Sequence, residues 1–528
     1  MKKVLSVLLL VTVLLSSFPV AAFAADKVCN CDQAPIIFVR GRRELVVDQS
    51  RPETDETNYH VPRTDNLDIP NLIMRIVPLY CFNYLIRDFS MFKKRTCDLL
   101  DEVFGEFCLD KNGEITNNSG LPPHVRWRDI HWGDVHNKLG TVATPEQASA
   151  AIARYNYNYD CRLDPVETAD DLKDYIDTIK RITGHQKVKI LARCEGNIIL
   201  MAYFAKYGWD DVQQVICYNS VARGTAVTDS LFTGYLKLDA KGTDYIADQV
   251  LDDDPAFRLV KDVVDYVKVT RFLDVLFRYY NKTLPRVSRE ILPDALLHSY
   301  GSTPGYWAMV SPERYEEARN FVFAGREQEY AGLIAKLDRY HEQVAVKIDD
   351  MLRQMKADGV PVSFITKYGC QLYPVTEDVT RQSDTVVSLA QQAPGVTSAP
   401  IGETFSEQYL TEQERLGNSA FVSGDHSVNA ATCLYPDTTW FIRDIIHTTY
   451  PPTIDELIYR IFESNGAMTV FNNEKFPQFM QYNEEGCAKG KGVIEPLTEQ
   501  GTAKTIHQYS YFTIVRNLFV HFFQLFSK

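Results

Sequence analysis

Two rhythms of apolar and polar positions run along this chain, one of continuous short apolar blocks and one of helical spacing. Pro35 to Val39 is a block of the first kind and predicts a buried strand that ends at Arg40-Gly41-Arg42-Arg43. A helical pattern follows within 70–106, carried by Ile73, Ile76, Val77 and Tyr80. The most regular stretch begins at Tyr155, where Tyr155 to Cys161 reads as a strand. Asp164 then suits a helix N-cap, Pro165 the first helical position and Glu167 the return arm of a capping box. Leu172, Tyr175, Ile176, Ile179 and Ile182 keep helical spacing until Gly184 stops it. Val188 to Ala192 predicts a second strand, Asn197 to Tyr207 a helix, and Val212 to Tyr218 a third strand. Strands that alternate with helices imply crossover connections and a mostly parallel sheet, so the fold class is α/β.

The pattern changes at about 225. Up to 355 the strand signal fades and helical runs dominate (Phe257 to Phe277, Tyr315 to Ala324, Tyr330 to Met355), with breaks expected near Pro285, Pro293 and Pro304. Strand character returns at Val360 to Thr366 and at Thr438 to Ile442. From 506 the chain is apolar and aromatic, with Thr513, Arg516, Asn517, His521 and Gln524 near one helical face. That tail reads as a groove-docking helix, with peripheral contact of 506–528 with a membrane as the rival. The expected organisation is therefore a leader over 1–24, an α/β core over 25–224 and 356–452, a helical cap or lid over 225–355, and an extension over 453–528.

The leader rests on Lys2 and Lys3, the apolar run Val4 to Leu15, and Ala22-Phe23-Ala24, which together have the form of a secretory signal. A secreted or cell-envelope protein is the expectation. With 56 Lys and Arg against 69 Asp and Glu, the formal charge is −13, the wrong sign for a nucleic-acid backbone. Eleven cysteines (29, 31, 81, 97, 108, 161, 194, 217, 370, 433, 487) all follow the leader, and an odd number leaves at least one thiol unpaired. None are spaced as paired zinc-binding motifs; neither metal nor cofactor is expected.

The chemistry concentrates at Ala192-Arg193-Cys194-Glu195-Gly196, between a predicted strand and a predicted helix. Small-x-nucleophile-x-Gly in that setting is the pattern of a nucleophile elbow. A nucleophile on a strained turn needs small neighbours two positions away. The helix that begins there aims its first N–H groups and positive dipole end at the reacting centre. Glu195, a negative charge beside the sulfur, works against that field.

At this point the sequence resembles the α/β-hydrolase superfamily, and within it the lecithin:cholesterol acyltransferase-like lipases and acyltransferases. Ile36-Ile37-Phe38-Val39-Arg40-Gly41 resembles the strand whose following loop supplies the oxyanion hole. Tyr159-Asp160-Cys161-Arg162-Leu163-Asp164-Pro165 resembles that group's tyrosine-aspartate-tryptophan-arginine segment, with Cys161 in the tryptophan's place. The elbow is a third patch, with cysteine for serine and Ala192 for the first glycine. Asn219 to Thr225 resembles the strand end that follows.

The resemblance implies a chain order of nucleophile, acid, histidine. Gln382-Ser383-Asp384-Thr385-Val386-Val387 resembles the family's aspartate segment, which makes Asp384 the acid, with Asp378 as the fallback. Of the later histidines, His447 follows the strand Trp440 to Ile442, where the family places its base; His426 precedes it, and His507 and His521 lie in the tail. Backbone N–H groups of Glu195 and Arg42 would form the oxyanion hole. Gly41 and Arg40 would border the substrate. The implied activity is hydrolysis or transfer of acyl groups from a small-molecule or lipid-like ester or thioester. A binding protein of the same fold with little or no catalysis is the competing expectation.

Overall fold

The computed structural model describes residues 33–41, 46–49, 86–122, 125–129, 142–239, 272–373, 376–484 and 492–498, together with Leu79, Phe82 and Asn83. The leader, Arg42, most of the 225–271 approach to the helical segment, and the 506–528 tail lie outside the described residues.

A central sheet carries the molecule. Its strands are β1 (Ile36–Val39), β2 (Tyr155–Tyr157), β3 (Val188–Arg193), β4 (Val212–Tyr218), β5 (Val362–Tyr368), β6 (Thr439–Arg443), β7 (Phe479–Asn483) and β8 (Val493–Pro496). In space the order is β8-β7-β6-β5-β4-β3-β1-β2. Every adjacent pair is parallel except β7 and β8. The α/β class with a mostly parallel sheet is therefore the architecture of this chain. From β1 the chain steps outward to β2, then returns to β1's other side as β3 and marches away to β8. The sequence order reverses between β1 and β3, and the crevice at the carboxyl ends of such a pair is where open α/β sheets place their ligands.

Successive residues of a strand face opposite sides of the sheet, and the two sides have separate cores. Ile190, Ala192, Val215, Cys217 and Phe364 face the helices α1 (Pro165–Thr183) and α2 (Gly196–Tyr207). Leu191, Ile216, Tyr218, Ile365 and Trp440 face Ile454, Leu457, Ile458 and Ile461 of a later helix, Pro452–Glu463. Full burial of such an aliphatic side chain contributes about 1.5–3 kcal/mol.

The capping chemistry of α1 follows the sequence in part. The Asp164 carboxylate accepts from the Val166 N–H at 2.8 Å, Pro165 opens the helix, and Gly184 closes it with φ of 71°. Glu167 does not turn back to close a capping box; it pairs with Arg339 at 2.8 Å. The strand expected over 155–161 stops at Tyr157. Beyond it Asp160 accepts from the Arg162 N–H at 3.1 Å, a local turn that competes with the sheet ladder.

Described elements between β4 and β5 are helical: Ala226–Phe232, Phe272–Leu297, Tyr315–Val322, Ala331–Gln343 and Ile348–Ala357, with shorter turns between them. The 272–297 helix runs through Pro285 and Pro293 instead of breaking there. Its buried Val287, Ile291 and Ala295 pack with Phe89, so tertiary burial outweighs the local cost of proline. The boundary drawn at 452 also moves. β7 and β8 extend the central sheet, and the Pro452–Glu463 helix covers its second face. Their short, mixed polar patterns, Phe-Met-Gln-Tyr-Asn and Val-Ile-Glu-Pro, carry little period of their own.

Candidate active site

The turn after β3 has the shape its sequence called for. Cys194 sits at φ of 51°, a left-handed conformation uncommon for a residue with a side chain. Three contacts hold it there. The Cys194 N–H donates to the Tyr218 carbonyl at 3.0 Å, while Asn197 Nδ2 donates to the carbonyls of Ala192 and Cys194, both at 3.1 Å. The two glycines are sterically required. A Cβ on Gly196 would lie 2.3 Å from the Val39 carbonyl oxygen, and one on Gly41 would lie 2.8 Å from Cys194 Cβ. The loop after β1 thus presses directly on the elbow.

Two residues far downstream converge on the sulfur. His447 Nε2 lies 3.1 Å from Cys194 Sγ, and its Nδ1 lies 2.7 Å from Asp384 Oδ2. His447 occupies the loop after β6; Asp384 occupies the loop after β5. Asp384 is fully buried, and its Oδ1 accepts from the N–H groups of Val386 (3.1 Å) and Val387 (2.7 Å). These bonds fix the orientation of its carboxyl group towards the ring. The His447 N–H donates to the Asp384 carbonyl at 2.8 Å, so backbone as well as side chain joins the two loops. Burial by itself would lower the proton affinity of the His447 ring, but the Asp384 charge and the sulfur outweigh it and pull its pKa up to about 10. The ring thus favours its protonated form beside the sulfur.

The remaining residues singled out in the sequence separate by position. Glu195 is the N-cap residue of α2, immediately after the sulfur, where the helix's positive end lies. Arg40 Nε donates to Asn156 at 3.0 Å and its guanidinium stacks over Phe38, which turns it along the sheet edge. Asp378 accepts from Thr380 at 2.6 Å, and His426 is an exposed turn residue whose carbonyl accepts from Phe405 N at 2.8 Å; neither has a hydrogen bond to Cys194 or His447. Arg42 lies outside the described residues.

Two residues at the site had drawn no role from the sequence. Asn219, fully buried at the end of β4, donates from Nδ2 to the His447 carbonyl at 3.2 Å. Lys367, fully buried on β5, donates to three carbonyls of the His447 loop. A lysine inside a buried strand was the available signal, but it needed the strand's central place in the sheet to be recognised.

A polar cleft of about 670 Å³ opens nearby, lined by Arg223, Asp229, Ser311, Arg314, His341 and Gln391 among others. Cys194 and His447 do not line it, although Ser388 and Gln391 on its wall follow Asp384 closely in the chain. Asp229 there is half-buried, and desolvation of its carboxyl pushes it up to about 6 against the opposing hydrogen bonds from Ser311.

Comparison with known proteins adds little. No family model matches the chain, and no curated protein does. Among solved structures, the chain is similar to one described as the crystal structure of the Tle4-Tli4 complex, at 14% identity and a TM-score of 0.17 over 38% of this chain. The match spans about half, 48%, of that chain's length.

Proposed function

We propose that this protein is an exported acyl hydrolase or acyltransferase of the α/β-hydrolase type, similar to the lecithin:cholesterol acyltransferase-like enzymes, working through Cys194, His447 and Asp384. The observation that carries the reading is the continuous line Cys194 Sγ, His447 Nε2, His447 Nδ1, Asp384 Oδ2, with separations of 3.1 Å and 2.7 Å across its two gaps. Its setting supports the reading: a strained turn at the topological switch point, with a helix N-terminus behind the sulfur.

In this mechanism the Cys194 thiolate attacks the carbonyl carbon of an ester or thioester, and the C–S bond forms as the carbonyl π pair moves onto oxygen. N–H groups of Glu195 and Arg42 hold that oxyanion; losing one such donor costs about 2.7–4 kcal/mol of transition-state stabilisation. Collapse expels the leaving alkoxide or thiolate, which takes the proton of the His447 imidazolium. His447, now neutral, removes a proton from water or an acceptor alcohol, whose oxygen attacks the thioester and releases the acyl group. Asp384 fixes the ring so that Nε2 faces the sulfur throughout. The helical segment between β4 and β5 acts as the cap over the substrate.

The test is a panel of short- and long-chain nitrophenyl esters and acyl thioesters, followed by mass spectrometry of the Cys194 peptide. The expected result is turnover with a transient, hydroxylamine-sensitive acyl adduct on Cys194. No turnover across the panel and no adduct, with the protein folded, would refute the reading.

A further inference from the structure

Lys367 is the most anomalous residue of the central sheet. It lies on β5 between β4 and β6 and is fully buried, in a position where a charge must find partners or be expelled. Its partners all belong to one loop. Nζ donates to the carbonyls of Ile446 at 2.9 Å, His447 at 3.0 Å and Thr449 at 2.8 Å. An ammonium has three N–H groups, and three carbonyls consume them. The ammonium also stands 5.2 Å from the centre of the Tyr218 ring, a further favourable contact for a cation. Burial presses the Lys367 pKa down to about 7, against the pull of Asp384. The fold bears this cost directly under the histidine.

Without a cation, three carbonyl dipoles pointing at one spot repel one another and lack the water they would otherwise bind. The turn 446–449 would relax, and His447 would move with it. Asn219 and Asp384 also hold His447, with Asn219 Nδ2 at 3.2 Å from its carbonyl and 2.9 Å from its Nδ1 and the Asp384 carbonyl accepting from its N–H at 2.8 Å, but neither is bonded to the carbonyls of Ile446 or Thr449. We propose that Lys367 is the positioning residue of the site: its ammonium gathers the 446–449 turn and thereby sets His447 Nε2 against Cys194 Sγ. It touches no reacting atom. The proposal rests on the reading of Cys194 and His447 as a working pair. Displacing a catalytic group by about 1 Å costs on the order of 10²-fold, so the leverage of such a residue is large.

Lys189 supplies the control. It is equally buried, on β3, and its Nζ donates to the Phe462 carbonyl at 2.6 Å and to Gln33 at 3.0 Å, with no bond to the His447 loop. The experiment measures the rate at which iodoacetamide alkylates Cys194 in the full chain, read by peptide mass spectrometry from pH 5 to 10. The proteins are wild type, H447Q, K367M and K189M. An imidazolium-paired thiolate reacts at low pH, whereas an unassisted thiol reacts only as the pH rises towards ~8.5.

K367M is expected to lower the pH 6 rate by about 10- to 100-fold and to give the rising profile of an unassisted thiol, with rates converging at pH 10. K189M should keep the wild-type profile. A wild-type profile in K367M overturns the proposal while leaving the Cys194–His447 pair intact. If H447Q and wild type coincide, the pair itself fails, and the proposal with it. Amide hydrogen exchange in the unaltered chain gives an answer even where K367M does not fold. The N–H groups of His447 and Thr449 should be protected like those of β6, and exchange at open-loop rates would overturn the proposal.

Discussion

Two buried constellations of charge lie beyond the carboxyl ends of this sheet's strands, and they are built on opposite plans. In the first, Arg162 is wholly enclosed and forks onto Asp160, with bonds of 2.9 Å and 2.6 Å. Its remaining donors reach Ser119 Oγ at 2.7 Å and the Phe107 carbonyl at 3.2 Å. Partners on several segments use the guanidinium up, and nothing is left to meet a ligand. In the second, Asp384 is equally enclosed, but the line of contacts runs outward through His447 to Cys194, which is only half-buried. One network ends on the protein's own backbone; the other ends at a nucleophilic atom that water or substrate can reach. A charged motif that closes on itself holds the fold together, whereas one that stays open at one end is equipped for chemistry.

This contrast can be broken by substitution. Removing an end of the open network should destroy activity and spare the fold. Cys194→Ala is expected to lower turnover of any ester the protein accepts by about 10⁶-fold, and Asp384→Asn by about 10⁴-fold, equivalent to about 5.5 kcal/mol. Steady-state rates with thermal melts check both, and a large drop in melting temperature for Cys194→Ala would erase the distinction.

Cutting the closed network should do the reverse. Asp160→Ala strands the Arg162 charge and is expected to cost about 3–5 kcal/mol of stability by denaturant titration. Any surviving folded protein should keep normal Cys194 reactivity. Gly41→Ala tests the contact between the β1 loop and the elbow. A methyl 2.8 Å from Cys194 Cβ must displace something. The expected penalty is about 1–3 kcal/mol, with a loss of activity larger than the loss of stability explains.

A further effect is one of pH. Because the folded-state pKa of His447 is raised from 6.5 to about 10, its pairing contributes stability that is fully present below pH 6.5 and is lost as the pH climbs through about 10. The stability gap between wild type and His447→Gln should therefore be widest near pH 6 and close by pH 10. A gap that widens with pH would mean that the ring sits neutral against a thiol.

How much of this could be read from the chain depends on the distance over which each signal acts. The cap at Asp164, the stop at Gly184 and the elbow at 192–196 are set by atoms a few residues apart, and their sequence states them openly. Pro285 and Pro293 misled because local propensity was overruled by packing against Phe89. Asp160 and Arg162 were conspicuous as a motif, yet nothing local showed that they face each other and Ser119 instead of a substrate. The roles of Lys367 and Asn219 were hidden for the same reason.

The sequence by itself determined the alternation of strand and helix, the strained cysteine turn and the residue types available for catalysis, because these follow from steric and hydrogen-bonding rules between near neighbours. Only the tertiary structure decided which imidazole meets the sulfur and which lysine lies beneath it. Cys194 and His447 are 253 positions apart. Their encounter exists because β3 through β6 lie side by side and in parallel, so that the loops leaving their carboxyl ends all open on the same edge of the sheet.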